Sequence, residues 1–273
     1  MEEAPSHTAG MVVNLVRMNS PFRRALRYSW RIPLLLWHAL VDLPVTMLLM
    51  VSPWGEWEIA GRRIDHRVVR WWSRWLMRIY GLDVRASGTQ LPDPVLFVAN
   101  HVGWTDIVVL HSTRMMGFVA KREIAGWPLV GWMAKRGQTI FHQRGSQESL
   151  GDVLQQMVER LREGHSVGAF PEGGTRDGRE LGPFHARLFY ASVEANVAVQ
   201  PVALRYGHGG EAQTIVAFRK RENFAQNFWR LLGEPARVVD VVYLAPILPG
   251  EAEGRRRIAE LARERIAAAL HGT

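Results

Sequence analysis

Two residues of this chain have the types and spacing of a base and its orienting acid: His101 and Asp106, within Phe97–Val98–Ala99–Asn100–His101–Val102–Gly103–Trp104–Thr105–Asp106. In a single regular helix, five residues turn through ~500°, which sets the two side chains ~140° apart and out of reach. They meet if His101 ends a strand and Asp106 lies in the first turn of the next helix, with Gly103 allowing the bend. Such a carboxylate takes the proton of one imidazole nitrogen and leaves the other free as a general base. This is the His–Asp half of a triad, with no evident Ser or Cys nucleophile beside it. The competing readings are a structural strand-end histidine and a carboxylate satisfied by backbone N–H groups at a helix N-terminus.

The elements that must position this pair are legible from hydrophobic periodicity. Pro94–Ala99 has the pattern of a buried strand, and Leu82–Ala86 before it reads as an edge strand. Strands follow at Gly117–Ala120 and Thr139–His142, separated by Glu123–Ala134, where Gly126, Pro128 and Gly131 argue against one long helix. Leu150–Leu161 is the cleanest helix, striped by Leu150, Val153, Leu154, Met157, Val158 and Leu161, with Ser149-x-x-Asp152 resembling a capping box. Then come a strand Val167–Phe170, a helix Pro183–Glu194, and a strand Val197–Leu204 interrupted by Pro201. Gln213–Phe218, a helix Phe224–Leu232, a strand Val238–Leu244 and a C-terminal helix Glu251–Leu270 complete the chain. The alternation predicts an α/β fold, a mostly parallel or mixed sheet flanked by helices. No internal repeat is visible.

In such a sheet, ligands bind beyond the carboxyl ends of the strands. The polar residues expected there are His101 and Asp106, then Gln143–Arg144–Gly145, then Pro171–Glu172–Gly173–Gly174–Thr175–Arg176–Asp177–Gly178. A base, two arginines, a carboxylate and a glycine-rich loop on one rim suit an anionic substrate held beside a general base. With no cysteine, disulfides and thiolate zinc sites are excluded. His111, His142, His165 and His185 lack metal-ligand spacing, so no metal is assigned. Neither a Gly-x-Gly-x-x-Gly nor a Gly-x4-Gly-Lys loop supports a nucleotide site.

The formal charge is +8, and only Lys121, Lys135 and Lys220 are lysines, so the cationic surface is almost wholly arginine. The balance suits an anionic membrane, nucleic acid or an acidic protein. Its distribution favours the membrane. Between Glu3 and Asp42 there is no acidic residue, while Arg17, Arg23, Arg24, Arg27 and Arg31 fall there. Ile32–Met50 follows, with Asp42 its only charged member, and beyond it Arg62, Arg63, Arg67, Arg70, Arg74 and Arg78 interleave with Trp71, Trp72 and Trp75. Aromatic and basic flanks around an apolar stretch are what a bilayer interface selects. Residues 1–80 therefore read as a basic, aromatic, membrane-associated helical segment. Within it, 1–15 is a disordered start, Arg17 to about Ile32 a basic surface helix, and Ile64–Tyr80 a further amphipathic helix. The apolar stretch either dips into one leaflet as a helix or broken hairpin, or crosses once; a buried core helix is the plain alternative. A cleaved signal peptide is not expected, because the stretch starts late and no small-residue cleavage pattern follows.

Asn100–His101–x4–Asp106 resembles the His-x4-Asp signature of the glycerolipid acyltransferases, the family of bacterial 1-acylglycerol-3-phosphate acyltransferases. Ile140–Phe141–His142–Gln143–Arg144 is similar to the block ending in a substrate-binding Arg, and Phe170–Pro171–Glu172–Gly173 to the Phe-Pro-Glu-Gly block. Val199–Gln200–Pro201–Val202 resembles the fourth block, and Lys121–Arg122–Glu123 with Pro128–Leu129–Val130–Gly131 matches the stretch between the first two. Gln143 stands where the family commonly has Asp, and Gly174 stands between Gly173 and Thr175. Read with a one-residue slip, Arg176 is the motif arginine. Read in register, Asp177, Gly178, Pro183 and Phe184 match a subgroup pattern and Arg176 occupies a variable position.

The resemblance implies an acyltransferase domain over 81–273 on the cytoplasmic face of the inner membrane. His101 and Asp106 are its catalytic residues, and Arg144, Glu172, Gly173, Gly174, Thr175, Arg176 and Lys121 its substrate-binding residues. It implies an acyl thioester, on acyl-carrier protein or coenzyme A, as co-substrate, no bound cofactor, and a lysolipid acceptor, 1-acylglycerol-3-phosphate. Other readings are transfer to a lyso-ornithine lipid, hydrolysis with water as acceptor, and an inactive basic protein that binds membrane or nucleic acid. A carboxylate at Glu172 does not help bind a phosphodiester backbone, so no nucleic acid partner is expected.

Overall fold

The structure, a computed structural model, describes residues 20–51, 55, 57–59, 62–127, 130–142 and 147–271. The expected disordered start and Gln143–Arg144–Gly145 lie outside these residues.

Helix α1 (Pro21–Trp37) opens with Pro21 in its first turn and with the Ser20 hydroxyl accepting the Arg23 N–H, which satisfies one otherwise orphaned donor. A π turn, His38–Asp42, joins it to α2 (Leu43–Val51). The turn widens just before Pro44, which lacks the N–H an α-helix would give to the carbonyl four residues back; Leu43 N–H bonds His38 O instead. Together these elements form one helical run, Pro21–Val51, of 31 residues, long and apolar enough to cross a membrane. Asp42 is answered within the run by His38, whose Nδ1 lies 2.7 Å from its carboxylate. Phe22, Leu26, Leu36, Trp37, Leu40 and Leu48 remain exposed along the outer face.

The basic helix does not simply lie on a membrane surface. Arg27 and Arg31 turn inward: Arg27 Nε donates to Gly233 O at 2.7 Å, and buried Arg31 donates to Leu232 O at 2.8 Å and Glu234 O at 2.7 Å. These carbonyls close α9 (Phe224–Leu232), where the helix offers acceptors it cannot satisfy itself and its dipole is negative.

Apart from a short antiparallel pair, Glu58–Ile59 with Arg62–Arg63, the described strands are β1 (Leu82–Ser87), β2 (Leu96–Ala99), β3 (Gly117–Lys121), β4 (Ile140–His142), β5 (Val167–Ala169), β6 (Val199–Tyr206) and β7 (Arg237–Tyr243). They form one mixed sheet in the order β1-β7-β6-β2-β5-β3-β4, parallel at every step except β6 against β7. β1 is an edge strand, as the sequence predicted. β6 runs unbroken through Pro201, because the β7 ladder begins one residue later, at Val202↔Tyr243.

Alternation places β2 at the centre of two cores. Phe97 and Ala99 face a cluster with α3 (Ile64–Ile79), α4 (Thr105–Thr113) and α9, through Met77, Val109, Leu110 and Leu232. Leu96 and Val98 face the other cluster, with Val153, Met157 and Leu161 of α6 (Gln147–Arg162) and Ile258 and Ala262 of α10 (Gly254–His271). A period of two residues on the strand thus buries both sheet faces under helices.

Two local expectations change. α6 starts before Ser149, so Ser149 is not its cap. Pro183–Glu194 is not one helix: His185 N–H is committed to Pro171 O at 2.8 Å, which holds the segment extended before a 3₁₀ turn (Ala186–Phe189) and α7 (Tyr190–Ala195). As expected, Glu123–Ala134 is not one long helix: it divides into a 3₁₀ turn, Arg122–Gly126, and α5 (Val130–Arg136); Gln213–Phe218, left without a type in the sequence reading, contains the short helix α8 (Gln213–Val216).

Candidate active site

The parallel strands β2, β5, β3 and β4 end on the same rim, and a cavity of about 650 Å³ opens there. His101, Ala120, His142, Phe170, Gly173 and Gly174 are among the residues that line it. His101 follows β2 directly, and its position is fixed from three sides. Asn100 clamps β6 with both ends of its amide: Nδ2 donates to Leu204 O at 3.0 Å, and Oδ1 accepts Leu204 N–H at 2.8 Å. The His101 N–H donates to Glu172 Oε1 at 2.8 Å, and its carbonyl accepts the Arg176 N–H at 2.8 Å. The imidazole stacks on Phe170 at 4.0 Å, and Phe170 stacks in turn on Phe118. β5 can pass beneath this stack because residue 168 is glycine; a Cβ there would come within 2.6 Å of Phe118.

Asp106 lies in the first turn of α4 and is fully buried. Its Oδ2 is 2.7 Å from His101 Nδ1 and also accepts Val102 N–H at 2.7 Å and Gly103 N–H at 3.0 Å. The two competing readings of Asp106 are therefore both true of one oxygen. A carboxylate accepting three other hydrogen bonds places the proton on Nδ1 and leaves Nε2 as the free nitrogen of a ring that lines the cavity. Oδ1 is occupied by Tyr206, whose hydroxyl donates at 2.6 Å and lies 3.0 Å from Thr105 Oγ1. Burial, and then the adjacent Asp106 charge, push the Tyr206 hydroxyl well above its ordinary pKa, so it stays a donor.

Glu172 is buried and acts on backbone: Oε2 accepts Gly182 N–H at 2.9 Å while Oε1 holds His101. Burial raises its pKa and these two N–H groups hold it partly back. Gly173 has φ +72° and packs against His185, where a Cβ would come within 2.9 Å of the ring. The Gly174 and Thr175 N–H groups make no hydrogen bond to any described residue. Those of Val102 and Gly103, by contrast, are committed to Asp106.

The other site residues of the sequence reading are distributed differently. The Arg176 guanidinium sits 3.6 Å from Glu172 Oε2 and lines an adjoining cavity with Thr175, not the cavity of His101. Lys121 ends β3 on the same rim, and Arg144 lies outside the described residues. Sequence reading missed Tyr206, although it ends β6 and the strand-end rule points to it. It also passed over Arg187, Arg255 and Arg256, which line the His101 cavity. Among the described residues, no group of three or more His, Asp or Glu is placed to hold a metal ion.

A second network supports the loop after His101. Trp104 Nε1 donates to Asn227 Oδ1 at 3.0 Å, and Asn227 Nδ2 donates to Glu222 at 2.9 Å. Glu222 also takes Arg230 Nε at 2.6 Å, and these bonds, with Arg230's the largest effect, hold its pKa down to about 2. A depressed carboxyl stabilises the fold above its unfolded pKa, and this stability is lost as pH falls through the folded value. The melting temperature should therefore drop on acidification between the ordinary 4.5 and about 2, and less steeply in Glu222→Gln. Equal slopes in thermal melts of the two proteins across that range would refute this.

The Acyltransferase family model matches residues 83–205, the stretch that carries both motif strands. The chain is 38% identical to the lyso-ornithine lipid O-acyltransferase of Pseudomonas aeruginosa, over 77% of this chain and 81% of that protein. It is 30% identical to the 1-acyl-sn-glycerol-3-phosphate acyltransferase of Neisseria gonorrhoeae, over 70% of this chain and 74% of that one. The fold matches the crystal structure of the 1-acyl-sn-glycerophosphate acyltransferase from Thermotoga maritima with a TM-score of 0.70, covering 90% of this chain and 96% of that one at 18% identity. Likeness this extensive, over most of both chains, leaves one assignment: the chain is an acyltransferase and belongs to the glycerolipid acyltransferase family.

Proposed function

We propose that this protein is a membrane-associated O-acyltransferase whose acceptor is a lyso-ornithine lipid. The chemistry rests on one observation, the buried Asp106 bound to His101 Nδ1, which leaves Nε2 free at the cavity. Nε2 takes the proton of the acceptor hydroxyl as that oxygen attacks the thioester carbonyl carbon. The C–O bond forms, the C–S bond breaks, and the proton passes from His101 to the departing thiolate, so that no acyl-enzyme is required. The free N–H of Gly174 in the same cavity is the donor best suited to the carbonyl oxygen as it gains charge. Glu172 and Gly173 hold the loop in place, Thr175 and Arg176 carry it on to the adjoining cavity, and Lys121, at the end of β3, is a further substrate-binding residue.

The choice of acceptor rests on the 38% identity to a lyso-ornithine lipid enzyme, more extensive than the 30% to a glycerophosphate enzyme. This reverses the preference drawn from the motifs. The second reading, 1-acylglycerol-3-phosphate, is favoured by that glycerophosphate relative and would give Arg144 a phosphate to bind. The test offers the purified full-length protein one acyl thioester and both acceptors in competition. Ornithine lipid should be the main product; a preference for lysophosphatidic acid overturns the proposal.

The membrane in question is the inner membrane, approached from its cytoplasmic face, with the exposed apolar face of Pro21–Val51 in lipid. High salt screens charge but not apolar contact, so it should leave the protein in the membrane fraction, and detergent should release it. Full extraction by salt alone would refute insertion.

A further inference from the structure

The chain places three arginines in succession at the start of α10, and the structure gives them different surroundings. Arg257 is engaged by Glu260 at 3.2 Å and Glu264 at 3.6 Å. Arg255 and Arg256 make no ion pair or hydrogen bond with any described residue, and both line the cavity that holds His101. Arg187 lines it too, as do His142 and His185, and among the described residues no Asp or Glu does. Arg255 and Arg256 repel each other, and no acidic residue among the described lining of this cavity relieves them.

We propose that Arg255 and Arg256, with Arg187, bind the phosphate of the acyl donor's phosphopantetheine arm. The proposal rests on the acyltransferase reading of this same cavity. Acyl-carrier protein and coenzyme A both present that arm, with its phosphate at the end away from the thioester, so one cationic wall serves either. A guanidinium fork matches phosphate oxygens in pairs. The lyso-ornithine acceptor carries no phosphate, and its headgroup contains an ammonium that an all-cationic lining repels. The adjoining cavity has the mixed lining a zwitterion fits, with Asp177, Glu180 and Glu260 beside Arg176, Arg256 and Arg263. Arg256 stands between the two cavities, while Arg187 and Arg255 line only that of His101 and Arg176 and Arg263 only the adjoining one, which leaves each anion arginines of its own.

The experiment uses the full-length protein with two donors differing by one group, acyl-phosphopantetheine and acyl-pantetheine, and lyso-ornithine lipid as acceptor. The readout is the ratio of kcat/KM for the two donors. In Arg255→Ala/Arg256→Ala the ratio should fall at least tenfold, through a higher KM for the phosphorylated donor, and the charge-reversed Arg255→Glu/Arg256→Glu should lower it further. Arg257→Ala should leave the ratio at the parent value. An unchanged ratio in both double variants overturns the proposal. So does a rise confined to the acceptor's KM, or a loss of vesicle binding with the ratio intact, which would assign these arginines to lipid headgroups. Repeating the ratio with lysophosphatidic acid separates the two readings: if only that acceptor is used and the ratio still falls, the ornithine reading fails and the donor site stands. Acyl-coenzyme A and acyl-carrier protein, run in parallel, identify which carrier supplies the phosphate.

Discussion

His101→Ala should lower turnover by at least about 10³-fold, within the span that a positioned general base contributes. The loss is chemical and not structural. Asp106 keeps Val102, Gly103 and Tyr206 as donors when the imidazole is gone, so the loop retains its anchor. The ring stacks on Phe170 and its side chain is only 14% exposed, so alanine leaves a gap beside the cavity without exposing a core. Glu172 is not placed to replace Nε2, because both its oxygens are engaged by backbone. Product formation from a radiolabelled thioester measures the effect, and circular dichroism checks the fold. Turnover within tenfold of the parent would sink the assignment of His101 as base.

The second large effect separates the two duties of Asp106. Asp106→Asn can keep an oxygen where Oδ2 stands, still accepting from His101, Val102 and Gly103. Its amide then faces Tyr206, whose hydroxyl can rotate to donate to Thr105 and accept from the amide. The fold should persist, while lost charge support for the imidazolium costs about 10²-fold in turnover, the worth of roughly 3 kcal/mol for a charge-assisted hydrogen bond. Asp106→Ala removes the acceptor from four donors at once and should cost at least ~3 kcal/mol of stability as well, because buried unsatisfied donors are expensive. Denaturant unfolding with turnover measured in parallel distinguishes the variants. Asparagine as damaging to stability as alanine would show that the carboxylate charge, and not its oxygen, holds the loop.

The His101–Asp106 pair was legible because it depends on local facts: a buried strand, an abrupt polar end, and a glycine at the bend. The sheet was legible for the same reason, since residue alternation reports burial directly. Tyr206 was not, because its partner lies 100 residues away in sequence and only the β2–β6 pairing brings them together. Arg255 and Arg256 were passed over because a run of arginines at a helix start gives no sign of which of them finds a carboxylate. Ser149 carried the local chemistry of a cap, but the helix extends past it to Gln147. Arg31 misled for a related reason. In the sequence it is one more cation on an amphipathic helix, and only the end of α9 explains its burial.

The contact between α1 and α9 bears on what could be cut away. Arg27, Tyr28 and Arg31 fasten α1 to carbonyls of Trp229, Leu232, Gly233 and Glu234, and the far face of α9 carries Asn227, which holds Trp104 three positions from His101. Anchor and catalyst are therefore joined like lever and fulcrum, not like a buoy on its line. A tilt of the apolar helix α1 would be transmitted through α9 to the loop that follows His101. A chain trimmed of α1 to gain solubility would also lose a bearing surface, leaving four carbonyls open behind the helix that holds Trp104. Poor activity in such a trimmed protein would then report a loosened mounting as much as a missing membrane.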